Sequence, residues 1–174
     1  MQTKAFLAAT CLLWILGGET SGDTTPKTVF VVPVTGNVDP GMAAFIARGA
    51  REASTEADAL LVIEMDTFGG RVDAALQIVD TLLNTPVETV AFVKTKAISA
   101  GALIALSCRR LVMKHTTTIG DCAPIALSNE GPRMLGEKFQ SPLRAKFRTI
   151  ARRNGYPETL AESMVTADMQ VHKV

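Results

Sequence analysis

Ser99 is followed by Ala100 and Gly101, neighbours too small to cover its hydroxyl. A serine so placed is a candidate nucleophile for acyl transfer, provided that a base takes its proton and backbone amides hold the oxyanion. Gly69 and Gly70 suggest the amides, because a glycine pair allows φ > 0 and brings N–H groups close to a ligand without obstruction by side chains. Each feature also has a plain structural reading, the pair as a tight turn and Ser99 as a helix N-cap. Phosphate binding is disfavoured, since neither GxGxxG spacing nor a P-loop lysine is present. For the base, His115 has no Asp or Glu at a diagnostic spacing to orient it, and His172 lies almost at the chain end. A lysine does this work where burial penalises its ammonium form. Lys94, Lys96, Lys114, Lys138 and Lys146 all qualify, and spacing alone does not choose among them.

The elements that must hold these groups are written in the hydrophobic pattern. Residues 29–34 form a continuous β-branched run, the signature of a strand covered on both faces. Asp39 and Pro40 read as an N-cap and a first-turn proline, opening a helix through Met42, Phe45, Ile46 and Ala50. A second buried strand follows over 59–65, a helix over 72–83, a third strand over 87–93, an apolar helix over 100–106 and a short strand from Leu111. This alternation predicts an α/β domain with a mostly parallel sheet. Ligands of such folds collect where strand ends meet helix starts. Asp66 to Arg71 and Lys96 to Gly101 fall at two consecutive junctions of that kind, so the N–H groups of Gly70 and Ala100 are expected to flank Ser99.

Composition narrows the remaining classes. A chain of 174 residues with 47% apolar and 20% charged residues is a single globular domain rather than a disordered segment. A formal net charge of +1 excludes the basic excess of a general nucleic-acid coat, and nucleic acid is not expected as a partner. Three scattered cysteines and two histidines give no disulfide framework, and neither a metal site nor a cofactor is expected. Lys4, the uncharged run from Ala5 to Gly18 and the small polar exit after it have the layout of a secretory signal over residues 1–22, with an uncleaved membrane anchor as the rival. Either places the domain from residue 27 onward on the periplasmic or extracytoplasmic side, exported or membrane-associated.

Three motifs in order, Asp66-Thr67-Phe68-Gly69-Gly70, Ala97-Ile98-Ser99-Ala100-Gly101 and Ile119-Gly120-Asp121-Cys122-Ala123-Pro124, carry a family resemblance. From about Lys27 to its last residue the chain resembles the N-terminal serine protease domain of the NfeD family, the ClpP-class membrane proteases encoded beside stomatin-like proteins. The resemblance implies a ClpP/crotonase-like ββα superhelix and a Ser-Lys dyad. Carried over residue by residue, the nucleophile falls on Ser99 and the lysine on Lys138, at the start of a helix that breaks at Asn154-Gly155. The oxyanion amides fall on Gly70 and Ala100, and the family's Asp-Thr-Pro-Gly-Gly is here Asp-Thr-Phe-Gly-Gly. The implied activity is endopeptidase cleavage of hydrophobic segments of membrane-associated proteins such as stomatin-like partners, with Phe68, Gly69, Ile125 and Leu127 near the substrate and a homo-oligomer, a dimer, as the working form.

The segment 126–135 reads as a mobile loop, and Pro142 as a residue tolerated only in a helix's first turn. Family members continue past Ala167-Asp168-Met169 into a last helix and strand, which implies a domain shortened at its C-terminus. Two other classes stay open. A ClpP-fold scaffold or binding module would have lost the dyad, and a crotonase-type acyl-CoA enzyme would share the paired amides without needing the serine.

Overall fold

The computed structural model describes residues 28–172, apart from the side chain of Leu127. The signal or anchor expected over residues 1–22 lies outside them. The sheet contains β1 (Val29–Val38), β2 (Leu60–Gly70), β3 (Glu88–Ile98), β4 (Arg110–Met113) and β5 (Thr118–Gly120). Every pairing in it is parallel, in the order β1-β2-β3-β4, with β5 continuing beyond β4 along the same edge of β3. Between the strands run α1 (Pro40–Ala53), α2 (Val72–Asn84) and α3 (Ala100–Ser107). A separate antiparallel hairpin, β6 (Ile125–Ser128) and β7 (Gly131–Met134), leads into α4 (Glu137–Asn154) and α5 (Glu158–Ser163). The α/β class and the mostly parallel sheet expected from the pattern are present.

Local chemistry sets the boundaries. Asp39 accepts the Met42 N–H at 2.8 Å, which satisfies one of the amides a helix start leaves without a partner, and Pro40 fills the first turn where no N–H is needed. Gly155 ends α4 in the left-handed conformation at φ +76. Pro142 sits inside α4 rather than in its first turn. It has no N–H to offer the Lys138 carbonyl four residues back, and the exposure of Lys138 leaves water to serve that oxygen.

The core lies on one face of the sheet. Val32, Val34, Leu61, Ile63, Met65, Ala91 and Val93 alternate inward and are buried beneath the helices. α3 is buried along its whole length, which explains why it is apolar all round instead of amphipathic. The opposite face differs from the expectation of two covered faces: Val29, Val31 and Val112 are 52%, 56% and 49% exposed, and no described element lies over them. β1 is also an edge strand, with Pro33 in its middle. Among the described residues no helix is long and apolar enough to cross a membrane.

Candidate active site

Both chemistry-bearing motifs lie at strand ends, because β2 and β3 run further than their hydrophobic cores. β2 extends through Gly70 and β3 through Ile98, with register shifts between Met65 and Asp66 and, in β1, between Thr35 and Asn37. The longer strands deliver Gly69 directly beneath Ser99. A Cβ added to Gly69 would lie 2.7 Å from the Ser99 Cβ, 2.9 Å from the Ile98 carbonyl oxygen and 3.0 Å from the Ala100 nitrogen. Gly69 has φ +99, so two independent reasons require glycine there. Gly70 is glycine for a different reason: its Cβ would come within 2.2 Å of the Val38 carbonyl oxygen, so it lets β1 and β2 close together.

Ser99 itself is held in an unusual conformation, φ 54 and ψ −120, at the cap position of α3. A residue other than glycine in that region carries strain of about 1–3 kcal/mol, which persists only where its surroundings enforce it. Here the Ser99 N–H donates to the Gly120 carbonyl at 2.8 Å, the Ala102 N–H donates to the Ser99 carbonyl at 3.0 Å, and the Cys122 thiol donates to that same carbonyl at 3.4 Å. The side chain makes no cap hydrogen bond, so the plain N-cap reading does not describe it. Instead Ser99 and Ala100 line a pocket walled by Val72, Ala75, Leu103, Cys122, Pro124, Leu143 and Phe147. A largely apolar groove bounded by Leu76, Leu135, Phe139, Pro142 and Lys146 shares Val72, Pro124 and Leu143 with it.

The lysines separate by their partners. Lys94 binds Glu64 at 3.2 Å, Lys96 binds Asp66 at 2.6 Å and Lys146 binds Asp80 at 3.5 Å. Lys114 and Lys138 are exposed, and neither has a carboxylate partner among the described residues. Lys138 is the second residue of α4, the helix whose Leu143 and Phe147 wall the Ser99 pocket, but its own side chain is not part of the lining. The structure thus brings together Ser99, Ala100 and Gly69, with Gly70 adjoining, and leaves Lys138 outside the pocket.

The other expected substrate contacts spread out. Phe68 is 74% exposed, and the Lys96 ammonium lies 4.5 Å from its ring centroid. Lys96 and Thr95 hold the Asp66 carboxyl below the usual carboxylate range. Ile125 is exposed on the hairpin and absent from the pocket wall, and Leu127 pairs through its backbone with Pro132. The segment read as a mobile loop is this hairpin, turning through Asn129 and Glu130. His115 and His172 are both exposed. Sequence reasoning did not single out Leu103, Leu143 and Phe147 as pocket walls, although Leu103 fell in the apolar helix expected over 100–106.

Cys122 faces the pocket but is a poor rival nucleophile. Burial pushes its thiol up to about 12, and burial does the same to Cys108. We therefore expect neither thiol to react with a disulfide reagent at pH 8 in the native protein, and both to react on unfolding, as site-resolved mass spectrometry would record. Rapid native modification of Cys122 would contradict the structure.

Comparison with known proteins follows the same lines. Residues 28–174 match the family model of the NfeD1b N-terminal domain. Membrane protein NfeD1b of Bacillus subtilis is 29% identical over 177 residues, an alignment covering 100% of this chain and 40% of that protein. Membrane-bound protease PH1510 of Pyrococcus horikoshii is 30% identical over 116 residues, 64% of this chain and 26% of that one. The chain therefore spans less than half the length of either relative. Among solved structures, 1510-N, a membrane-bound stomatin-specific protease, superposes as a serine-to-alanine variant with a TM-score of 0.78 at 27% identity, over 83% of this chain and 72% of that one. A lysine-to-alanine variant of it in complex with a substrate peptide gives 0.77 at 28% identity, over 82% and 68%. ClpP1 of Listeria monocytogenes, at 13% identity and a TM-score of 0.55 over 81% and 80%, shares the fold.

Proposed function

The chain belongs to the NfeD1b N-terminal-domain family and has a ClpP-like fold, and from that premise we propose that it is a serine endopeptidase with Ser99 as nucleophile and Lys138 as base. The observation that carries the proposal is the strained, uncapped Ser99 at the head of a buried helix, with Gly69 pressed against it and an apolar pocket in front. Strain of this kind clusters at functional sites, and Ser99 lines the pocket in that conformation.

In the proposed mechanism Lys138, in its uncharged form, takes the Ser99 proton as the Ser99 oxygen bonds to the peptide carbonyl carbon. The carbonyl oxygen becomes an oxyanion, held by the amides of Gly70 and Ala100. The ladder supports that choice of amides. The Gly69 N–H is already committed to the Thr67 hydroxyl at 2.9 Å, and the Arg71 N–H donates to the Val38 carbonyl at 2.8 Å. Donor directions alternate along a strand, so the Gly70 N–H is turned from β1 towards the Ser99 side. The Ala100 amide belongs to the first turn of α3, where helix geometry provides no acceptor. Collapse of the oxyanion expels the amine, which takes the proton from Lys138, and water then releases the acyl group from Ser99. Lys138 reaches Ser99 when the hairpin and the first turn of α4 close over a bound peptide.

The apolar lining of the pocket and groove supports hydrophobic peptide segments as substrates, and the likeness to the stomatin-specific protease 1510-N supports those of a stomatin-like membrane protein. We place the domain beside a membrane on the extracytoplasmic side and infer a homodimer. One observation favours a second reading, a binding module that keeps the fold without the chemistry: Lys138 is outside the pocket. A fluorophosphonate probe and a hydrophobic peptide separate the two. The protease should label at Ser99 and cleave, and Lys138→Ala should lower kcat by about 10²–10⁴-fold with an unchanged melting temperature. Cleavage by Lys138→Ala at the wild-type rate would remove the dyad. Wild-type protein inert to both reagents would favour the module.

A further inference from the structure

The glycine turn under Ser99 is paired with β1, Asn37 with Gly69 and Val38 with Gly70, but only past a register shift at Gly36, so its position depends on what fixes that shift. Thr67 is 1% exposed, on the face of β2 that meets α3. Its hydroxyl donates to the Gly36 carbonyl at 2.5 Å and accepts from the Gly69 N–H at 2.9 Å. These two bonds join the two irregular points of the region, since Gly36 (φ +84) sits at the β1 register shift and Gly69 (φ +99) touches Ser99. The methyl group has its own role. A Cβ on Gly101 would lie 2.7 Å from the Thr67 Cγ2, so that methyl occupies the space which the missing side chain in the first turn of α3 leaves.

We propose that Thr67 is the positioning residue that sets the Gly69-Gly70 turn against Ser99 and the Ala100 amide. The proposal rests on the protease reading and adds to it. Threonine alone provides all three contacts: serine lacks the methyl, and valine lacks the hydroxyl and leaves the buried Gly69 N–H unpaired. The hydroxyl orients the oxyanion turn, and the methyl contributes packing. Thr67 touches no substrate and acts through Gly69.

Three variants and two readouts test this. In the wild-type background, Thr67→Val should lower kcat and the rate of Ser99 phosphonylation together by about 10²-fold, near the effect of losing an oxyanion donor, with KM within twofold. Thr67→Ser should stay within a few-fold of wild type in kcat while melting at a lower temperature. Thr67→Ala should combine both losses. Amide hydrogen exchange supplies the second readout: Gly69 should exchange at least tenfold faster in Thr67→Val and stay near wild type in Thr67→Ser. If wild-type Ser99 does not label, the protease reading fails, and the exchange data still judge Thr67. A Thr67→Val protein with wild-type kcat and unchanged Gly69 exchange overturns the proposal. So does a Thr67→Ser protein that loses 10²-fold in kcat, which is the deciding measurement if Thr67→Val does not fold.

Discussion

Ser99→Gly is expected to melt above the wild type and to cleave nothing. Ser99→Ala should be as inert but melt close to wild type. The loss of cleavage in both, on the order of 10⁴-fold or more, follows from removing the nucleophile. The difference in melting follows from φ 54 and ψ −120 at Ser99, a region that alanine and serine enter only under strain and glycine enters freely. The relief of about 1–3 kcal/mol is partly offset by roughly 0.4–1 kcal/mol of extra freedom in the unfolded glycine chain. A net gain of about 1 kcal/mol raises the melting temperature by about 2–4 °C in a domain of this size. Scanning calorimetry beside a cleavage assay reads both. A Ser99→Gly protein that melts below wild type would show that the backbone here is unstrained. One that still cleaves would show that Ser99 is not the nucleophile.

Gly69→Ala should be severely damaging, destabilising by about 3 kcal/mol and abolishing cleavage in whatever fraction folds. The added carbon would meet the Ser99 Cβ at 2.7 Å, the Ile98 carbonyl oxygen at 2.9 Å and the Ala100 nitrogen at 3.0 Å, all atoms on or next to the backbone and unable to swing aside. The positive φ adds its own cost. Two other glycines separate these terms. Gly155→Ala, at φ +76 with nothing within 4 Å, should cost only the dihedral term, about 1–2 kcal/mol. Gly136→Ala, at φ −70 with equally open surroundings but at the N-cap of α4, should cost only the poorer cap, about 0.5–1 kcal/mol. Denaturant melts of the three decide the matter, and equal costs at Gly69 and Gly155 would mean that the close approach to Ser99 carries no energy.

Legibility in the sequence tracked how local the determining physics is. The start of α1 could be read from Asp39 and Pro40 and the end of α4 from Gly155, because caps are decided by a few adjacent residues. The juxtaposition of Gly69 with Ser99 was legible only as consecutive strand ends. The reach of β2 and β3 was not, since Asp66 to Gly70 and Lys94 to Ile98 are strand by virtue of their neighbours' hydrogen bonds rather than their own apolar pattern. The hairpin was hidden for a related reason. Its glycine, Gly131, follows the Asn129-Glu130 turn instead of completing it, so the usual Asn-Gly signal is missing. The β-branched run of β1 suggested two covered faces, but Val29 and Val31 show that such a run also forms a strand with one side open. Thr67 was quoted only as part of a motif, because a hydroxyl bridging residues 31 positions apart leaves no trace in local spacing.

Pro33 in β1 has a consequence for how copies of this chain meet. An incoming strand that tried to lengthen the sheet beyond β1 would find one rung of its ladder without a donor, in the middle of a ten-residue strand. Rim-to-rim polymerisation is blocked at that point by a single ring, at no expense to the interior. Self-assembly of this domain is thereby steered towards packing of broad surfaces and away from fibre growth.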